Sequence, residues 1–191
     1  MNAITMTGKE SEAWRPQISG WSFDILPFYE MLSRQCGHYA RIVEIGTAGG
    51  RSAIFLAEAF RKQNKGGVEF YTVDHWDAGW VEGARSLITN ARPDELDLIR
   101  FMRLTSAKAS RIFDDDYFDV AFIDADHSFD SIKDDIRMWL PKVKPGGMIC
   151  GHDYHPHYDG VIKAVEEARV RHAWTDFEVL DTVWTARRKF A

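Results

Sequence analysis

Short runs of β-branched and aromatic residues alternate along this chain with longer segments of helical periodicity. In the segment His127–Leu140, the apolar residues fall on one helical face and the charged residues on the other. A second such helix begins near Asp159, which we expect to be its N-cap, and a third is expected over Ser52–Phe60. The predicted strands are Arg41–Ile45, Glu69–Val73, Ile99–Leu104, Phe118–Ile123, Met148–Cys150, Phe177–Leu180 and Val183–Thr185.

This alternation of strands and helices predicts an α/β fold. Helices of this length connect parallel strands by right-handed crossovers, so both faces of the sheet are covered. Sheets of this kind bind ligands at the carboxyl ends of their strands, which is where we look for function. The length of 191 residues fits a single domain over 1–191. The polar residues 1–17 are expected to form a flexible N-terminal arm.

Composition narrows the choice of ligand. The net charge is −5 and the basic residues are scattered, so we expect no nucleic-acid partner. No apolar run approaches the ~20 residues of a membrane span, so we expect a soluble, cytoplasmic chain with no membrane partner. The two cysteines, Cys36 and Cys150, are far apart and form no CxxC spacing, which argues against a disulfide framework or a thiolate zinc site. A small molecule is the expected ligand.

The first predicted strand runs into a glycine-rich turn and then a helix, in the sequence Val-Glu-Ile-Gly-Thr-Ala-Gly-Gly-Arg-Ser. Gly46 lets the backbone turn sharply, and Gly50 lacks the Cβ atom that would keep a ligand off the chain. The following helix offers unpaired N–H groups and a partial positive charge. A glycine turn is also common as plain packing, but its place between a strand and a helix favours a cofactor site.

Two acidic residues refine this interpretation. Asp74 ends the second predicted strand, where a carboxylate receives the hydroxyls of an adenosine ribose. Glu44 lies within the strand before the turn, where it would repel a pyrophosphate and attract a cationic ligand.

Together these motifs resemble the class I S-adenosylmethionine-dependent methyltransferases from about residue 18 to the C-terminus. The similarity extends through Asp-Ala-Asp-His-Ser, Pro-Gly-Gly and Gly-His-Asp-Tyr, and it is greatest to a small O-methyltransferase-like subgroup that carries the DADHS and GHDY motifs. It implies a doubly wound, Rossmann-like sheet of seven strands in the order 3-2-1-4-5-7-6, with strand 7 antiparallel and helices on both faces. It implies S-adenosylmethionine as the cofactor. The implied cofactor contacts are Glu44, Gly46, Thr47, Gly50, Ser52, Asp74, Ser106, Ala107 and Asp124.

A further group of polar residues follows the fourth and fifth predicted strands. In catechol-type O-methyltransferases, which this segment resembles, an Asp and an Asp-Asn pair at these places bind Mg²⁺. Asp124 matches the first, but His152 and Asp153 stand where the pair would be. Histidine suits Zn²⁺ or Mn²⁺ better than Mg²⁺, so two interpretations stay open. Either Asp124, His152 and Asp153 hold a divalent cation (Mg²⁺, Mn²⁺ or Zn²⁺), or Asp124 and Asp153 bind substrate hydroxyls and a histidine is the base.

The resulting hypothesis is methylation of a small-molecule hydroxyl, with His127 as first candidate for the general base, His152 as second, and Asp124 beside them. A binding module without methyl transfer and an NAD-dependent oxidoreductase are the alternatives. A homo-oligomer is compatible with the sequence. Trp76, Trp80 and Tyr154 are compatible with an aromatic wall for the acceptor and equally with packing in the core. His155 and His157 are compatible with the site and equally with a solvated loop.

Overall fold

The computed structural model describes residues 14–15, 17–18, 24–76, 81–174 and 176–190. The predicted arm over 1–17 lies largely outside these residues, and so does Trp80. Within the described part, no helix is both long and apolar enough to cross a bilayer.

The described residues form seven strands: β1 (Arg41–Ile45), β2 (Glu69–Asp74), β3 (Ile99–Arg103), β4 (Phe118–Ile123), β5 (Val143–Gly151), β6 (Glu178–Leu180) and β7 (Val183–Arg187). They form one sheet in the order β3-β2-β1-β4-β5-β7-β6, which confirms the predicted topology. Strands β1 to β5 pair in parallel, whereas β7 pairs antiparallel with both β5 and β6.

The α-helices of the described residues are α1 (Ile25–Gln35), α2 (Arg51–Lys62), α3 (Val81–Asn90), α4 (Pro93–Leu96), α5 (Ser106–Ala109), α6 (Phe129–Trp139) and α7 (Asp159–Arg171). They cover both faces of the sheet, because successive strand residues point to opposite sides and both sides are apolar. Ile42 packs with α1, α2 and α3 on one face, while its neighbour Val43 packs with α5, α6 and α7 on the other.

The structure corrects the predicted start of β5 and the predicted N-cap of α7. Strand β5 begins at Val143 rather than Met148, because it includes the Pro-Gly-Gly segment, where Gly146 has φ +78° and the pairing with β4 is irregular. Asp159 is the first residue of α7 and not its N-cap, which is Tyr158. The Asp159 carboxylate instead accepts a hydrogen bond from Lys163 one turn later, at 2.6 Å.

The described part of the N-terminal segment is held against helix α2. Trp14 packs edge-on against Phe55, with ring centroids 5.0 Å apart. The Arg15 guanidinium forms ion pairs with Glu58 at 2.7 Å and with the fully buried Glu95 at 2.6 Å. These two residues of the expected arm therefore contact the folded domain.

Candidate functional site

The carboxyl ends of four central strands meet at one edge of the sheet. Backbone hydrogen bonds hold them in place: Gly46 donates to Val73 at 2.9 Å, Asp124 to Ile45 at 2.8 Å, and His152 to Ile123 at 3.1 Å. The parallel register thus brings together the glycine turn after β1, Asp74 at the end of β2, and the polar groups after β4 and β5.

Glycine is required at two positions of the turn, for different reasons. Gly46 has φ +97°, and a Cβ there would lie 1.9 Å from the carbonyl oxygen of Asp124. Gly50 has φ +82°, and a Cβ there would lie 2.4 Å from the side chain of Leu87 on α3. The space beside Gly50 is therefore filled by Leu87, and the expected reason for this glycine, an open path for a ligand, is not the one that the structure gives.

Asp74 holds the glycine turn in place. One carboxylate oxygen accepts the N–H groups of Thr47 at 3.0 Å and Ala48 at 2.9 Å, and the other accepts the N–H of Trp76 at 3.0 Å. A carboxylate has roughly four acceptor positions. Nδ1 of His75 also lies 3.4 Å from the second oxygen, and the Asp74 side chain keeps 14% of its surface exposed.

Glu44 lies fully buried beneath the turn. Its carboxylate accepts hydrogen bonds from Tyr29 and Thr72, both at 2.9 Å, and from Ser52. Burial raises the pKa of Glu44 to about 7, against the opposing effect of these hydroxyl donors. The Thr72 hydroxyl is also bonded to that of Thr47, so Glu44 is linked to the turn through two hydroxyl groups.

At the predicted adenine-lining position, Ser106 is the first residue of α5. Its hydroxyl donates to Asp135 and accepts the indole N–H of Trp139 at 2.8 Å. Burial raises the pKa of Asp135 to about 6. The adjacent Ala107 is half-buried. The Ser106 side chain is therefore fixed by α6, and this leaves the backbone of 106–107 as the part that could line a ligand.

His152 is surrounded by three carboxylates. Its Nε2 lies 2.9 Å from Oδ2 of Asp24, and its Nδ1 lies 3.4 Å from Oδ1 of Asp124 and 3.3 Å from Oδ2 of Asp153. The ring is only 8% exposed, and burial alone would lower its pKa, but the hydrogen bonds to Asp124, Asp153 and Asp24 raise the pKa of His152 to about 12. These carboxylates favour the protonated, positively charged form of the imidazole.

Asp153 also reaches His127, whose Nε2 is 2.7 Å from Oδ2 of Asp153. Asp153 occupies the left-handed region with φ +60°, which directs its carboxylate between the two histidines. The hydrogen bond to Asp153 raises the pKa of His127, with burial opposing it. The His127 ring remains 41% exposed and packs against Tyr158, with centroids 4.6 Å apart.

The structure thus places the three predicted metal-ligating residues together. Ligand atoms of Asp124, His152 and Asp153 all lie within 4.8 Å of one another. Two carboxylates and an imidazole form a donor set that suits Mn²⁺ or Zn²⁺. Without a cation, a proton on His152 offsets part of the negative charge of these carboxylates, so both interpretations fit the arrangement.

The structure also decides how the aromatic residues and histidines considered for the acceptor pocket are placed. Trp76 is 3% exposed and donates its indole N–H to the carbonyl of Ala48 at 3.1 Å, so it offers no wall to an acceptor in this structure. Tyr154 donates to Glu166 on α7 at 2.7 Å and is half-buried. His155 and His157 are exposed, and the N–H of His157 donates to His155 at 3.2 Å, as in a solvated loop.

Four residues of the site were not found from the sequence: Asp24, Tyr29, Thr72 and Thr182. Tyr29 and Thr72 fall on regular helical and strand patterns, and their hydroxyls show a role only once they meet Glu44. Asp24 and Thr182 belong to no motif.

A concave surface of about 640 Å³ lies at the opposite edge of the sheet. It is lined by residues near the amino ends of the strands, among them Tyr39, Asp119 and Lys144. None of the candidate residues predicted from the sequence lines it.

Comparisons with known proteins assign the chain to a family. The methyltransferase domain family matches residues 43–154, from strand β1 to the residues after β5. An uncharacterized protein of Sinorhizobium fredii (strain NBRC 101917 / NGR234), y4gI, is 27% identical over 118 residues, which make up 59% of this chain. The chain spans only 13% of the length of that relative.

Solved structures share the fold at low sequence identity. The O-methyltransferase NovP is 17% identical with a TM-score of 0.66, over 88% of this chain and 81% of that chain. The O-methyltransferase TomG from Streptomyces achromogenes, in complex with S-adenosylmethionine, is 20% identical with a TM-score of 0.66, over 100% of this chain and 92% of that chain. A tRNA methyltransferase from Aquifex aeolicus is 12% identical with a TM-score of 0.64, over 97% of this chain and 77% of that chain, so the fold alone does not select the acceptor.

Proposed function

Because this chain belongs to the methyltransferase domain family, we propose that it transfers the methyl group of S-adenosylmethionine to a hydroxyl oxygen of a small molecule. The observation that carries the proposal is that the glycine turn after β1 and the polar cluster after β4 and β5 are in contact at one edge of the sheet. The glycine turn touches the backbone of Asp124 at Gly46, and Asp124 lies 3.4 Å from His152. A cofactor bound at the turn would therefore lie beside the polar cluster.

The turn side of this edge fits the cofactor. Asp74 keeps exposed surface where a ribose hydroxyl would donate to its carboxylate, and the backbone at 106–107 would line the adenine. Thr47, Gly50 and Ser52 would contribute through the geometry of the turn, and Glu44 through the hydroxyls of Thr72 and Thr47. When bound, S-adenosylmethionine supplies an electrophilic methyl group with its own leaving group.

The other side of the edge would bind the acceptor and take up its proton. In the structure, Nε2 of His127 faces Asp153, a carboxylate whose pKa is lowered by His127 and His152 against the effect of burial. An ionised carboxylate only accepts hydrogen bonds, so Nε2 carries the hydrogen and Nδ1 is the nitrogen that can take the hydroxyl proton. Such a base is worth ~10²–10⁴-fold in rate.

A divalent cation at Asp124, His152 and Asp153 is the second way to activate the hydroxyl. Coordination would lower the pKa of the acceptor oxygen directly, and the cation would replace the proton at Nδ1 of His152. A bound cation and a protonated His152 have the same electrostatic effect here. Asp124 and Asp153 lie close enough to repel each other, and a positive charge between them reduces that repulsion.

Calorimetry with S-adenosylmethionine is the first test, followed by assays of S-adenosylhomocysteine release with a panel of small hydroxylated compounds, with and without EDTA. We expect measurable cofactor binding and release that depends on the acceptor. Absence of cofactor binding would refute the proposal, and binding without transfer to any member of the panel would favour a binding module. Oxidation or reduction of a nicotinamide cofactor would favour the oxidoreductase alternative.

A thermal-shift titration with Mg²⁺, Mn²⁺ and Zn²⁺ separates the two activation schemes. Stabilisation of the wild type that Asp153→Asn lacks supports the cation. If no cation stabilises the wild type and EDTA leaves transfer intact, the histidine base remains. Exposed Asp159→Asn is the matched control, because its carboxylate accepts from Lys163 and from no residue of the cluster.

A further inference from the structure

Asp24 stands directly before helix α1, at the N-cap position. Aspartate at this position usually accepts a backbone N–H of the first helical turn. Here its side chain makes no such bond, and Oδ2 instead accepts from Nε2 of His152 at 2.9 Å and from the Thr182 hydroxyl at 2.5 Å. The carboxylate is thus directed away from its own helix and toward the candidate site.

We propose that Asp24 is a positioning residue that fixes the imidazole of His152, and that Thr182 fixes Asp24 in turn. The proposal deepens the proposed function, on which it rests, by adding two residues that touch neither cofactor nor acceptor.

The chemistry of the contact defines the orientation of the ring. An ionised carboxylate can only accept a hydrogen bond, so Nε2 of His152 carries the hydrogen toward Asp24. Nδ1 on the other side of the ring then faces Asp124 at 3.4 Å and Asp153 at 3.3 Å. A rotation of the ring by 180° would move both nitrogens away from these partners. Histidines that bind metals or move protons are commonly oriented by a carboxylate on the second nitrogen in this way.

Three distant segments of the chain build this contact. Asp24 is 128 positions from His152 and 158 from Thr182. The backbone N–H of Tyr154, two residues after His152, donates to the carbonyl of Thr182 at 2.9 Å, which ties the loop between β6 and β7 to the same place. The His152 side chain is 8% exposed, so the contact also lies largely out of water.

The test compares Asp24→Ala, Asp24→Asn and Thr182→Val with wild type, with Asp159→Ala as a matched control from the exposed start of α7. Imidazole signals are followed by NMR on protein labelled with ¹⁵N-histidine, and His152 is assigned with His152→Gln. In the wild type we expect a slowly exchanging Nε2 proton and one ring orientation. Asp24→Ala should lose that proton signal, whereas Asp24→Asn should keep it because an amide oxygen still accepts.

Mn²⁺ titration followed by electron paramagnetic resonance gives a second readout. If wild type binds Mn²⁺, we expect Asp24→Ala to weaken it by roughly 10–100-fold, as for other groups that orient a metal ligand. The Mn²⁺ affinity of Asp24→Asn and of Asp159→Ala should lie within about threefold of the wild-type affinity, because neither change removes an acceptor for Nε2 of His152. Affinity for S-adenosylmethionine should not change in any of these variants.

The outcomes separate this inference from the proposed function. A wild type that binds no S-adenosylmethionine would overturn the function, and a wild type that binds no Mn²⁺ would remove only the cation scheme; in both cases the NMR comparison still decides the role of Asp24. Unchanged His152 signals in Asp24→Ala would overturn the inference. Should that variant fail to fold, Asp24→Leu takes its place, and unchanged His152 signals in Asp24→Leu would overturn the part that assigns Asp24. Unchanged signals in Thr182→Val would overturn the part that assigns Thr182.

Discussion

Oδ2 of Asp153 lies 2.7 Å from Nε2 of His127, and these residues follow two neighbouring parallel strands. The pairing gives His127 an orienting carboxylate and raises its pKa. We expect the two residues to act as one functional unit, because removal of the carboxylate takes away the hydrogen bond that orients the histidine.

We therefore expect His127→Gln and Asp153→Ala each to lower the rate of methyl transfer by ~10²–10⁴-fold, and the double variant to be little worse than either. Single-turnover assays with an acceptor from the panel measure this. His157→Gln is the control, since His157 is exposed and adjoins His155 rather than Asp153. Full activity in His127→Gln would exclude it as the base, and losses that multiply in the double variant would show that the residues act separately.

Asp74 is expected to act on the cofactor both directly and through the turn. Asp74→Ala removes a ribose acceptor and frees the N–H groups of Thr47 and Ala48. Binding of S-adenosylmethionine should weaken by about 1.5–3 kcal/mol, the scale of a hydrogen bond to a charged group.

Calorimetry measures this loss, with the exposed Asp97→Ala on the far side of α4 as control. Equal affinity in wild type and Asp74→Ala would contradict the ribose assignment. A loss of affinity accompanied by an equal loss in urea stability would assign Asp74 to the turn alone.

Gly50 gives a prediction about packing. Because its φ is +82° and Leu87 occupies the space of a Cβ, Gly50→Ala should lower the free energy of unfolding by about 2–4 kcal/mol, combining left-handed strain of about 1–2 kcal/mol with overpacking. The measurement is urea unfolding of Gly50→Ala, Leu87→Ala and the double variant. Trimming Leu87 should relieve the steric part, so the double variant should be more stable than the sum of the two losses predicts. Strict additivity would mean that Leu87 does not set the cost.

The sequence predicted those features that depend on local pattern and on one topological rule. Strand Phe118–Ile123 was predicted with the bounds that the structure has, since its apolar run is buried on both faces. The convergence of Asp124 and His152 followed from the rule that parallel strands end at one edge. Both results need only periodicity and strand order.

Contacts between distant single residues could not be predicted in this way. The bond between Asp24 and His152 joins positions 128 residues apart, and the surrounding sequence of Asp24 looks like an ordinary helix start. The inclusion of Pro145-Gly146-Gly147 in β5 was missed because it depends on pairing, with the N–H of Gly146 donating to the carbonyl of Arg188 at 2.8 Å. Likewise, the bonds from Thr47 and Ala48 to Asp74 depend on backbone orientation, including the positive φ of Ala48, which the glycine pattern alone does not specify.

Glu44 predicts a pH dependence of stability. Burial raises its pKa from 4.5 to about 7 in the folded protein, so between these values the folded state holds a proton that the unfolded chain releases. The free energy of unfolding should therefore fall as pH rises through this interval, by about 3 kcal/mol from this residue. In Glu44→Gln the amide cannot ionise, and this part of the fall should disappear.

Urea unfolding of wild type and Glu44→Gln at pH 5, 6, 7 and 8 tests this, because the difference between the two curves removes the contribution of every other titrating group. The free energy of unfolding of wild type, relative to that of Glu44→Gln, should decline from pH 5 to pH 7. Above pH 7 the decline should level off, because Glu44 in the folded protein loses its remaining proton near its pKa of about 7. Exposed Glu82→Gln on α3 should differ from wild type by a constant amount across the same range. A constant difference for Glu44→Gln as well would mean that the hydroxyls of Tyr29, Thr72 and Ser52 keep this buried carboxylate ionised throughout.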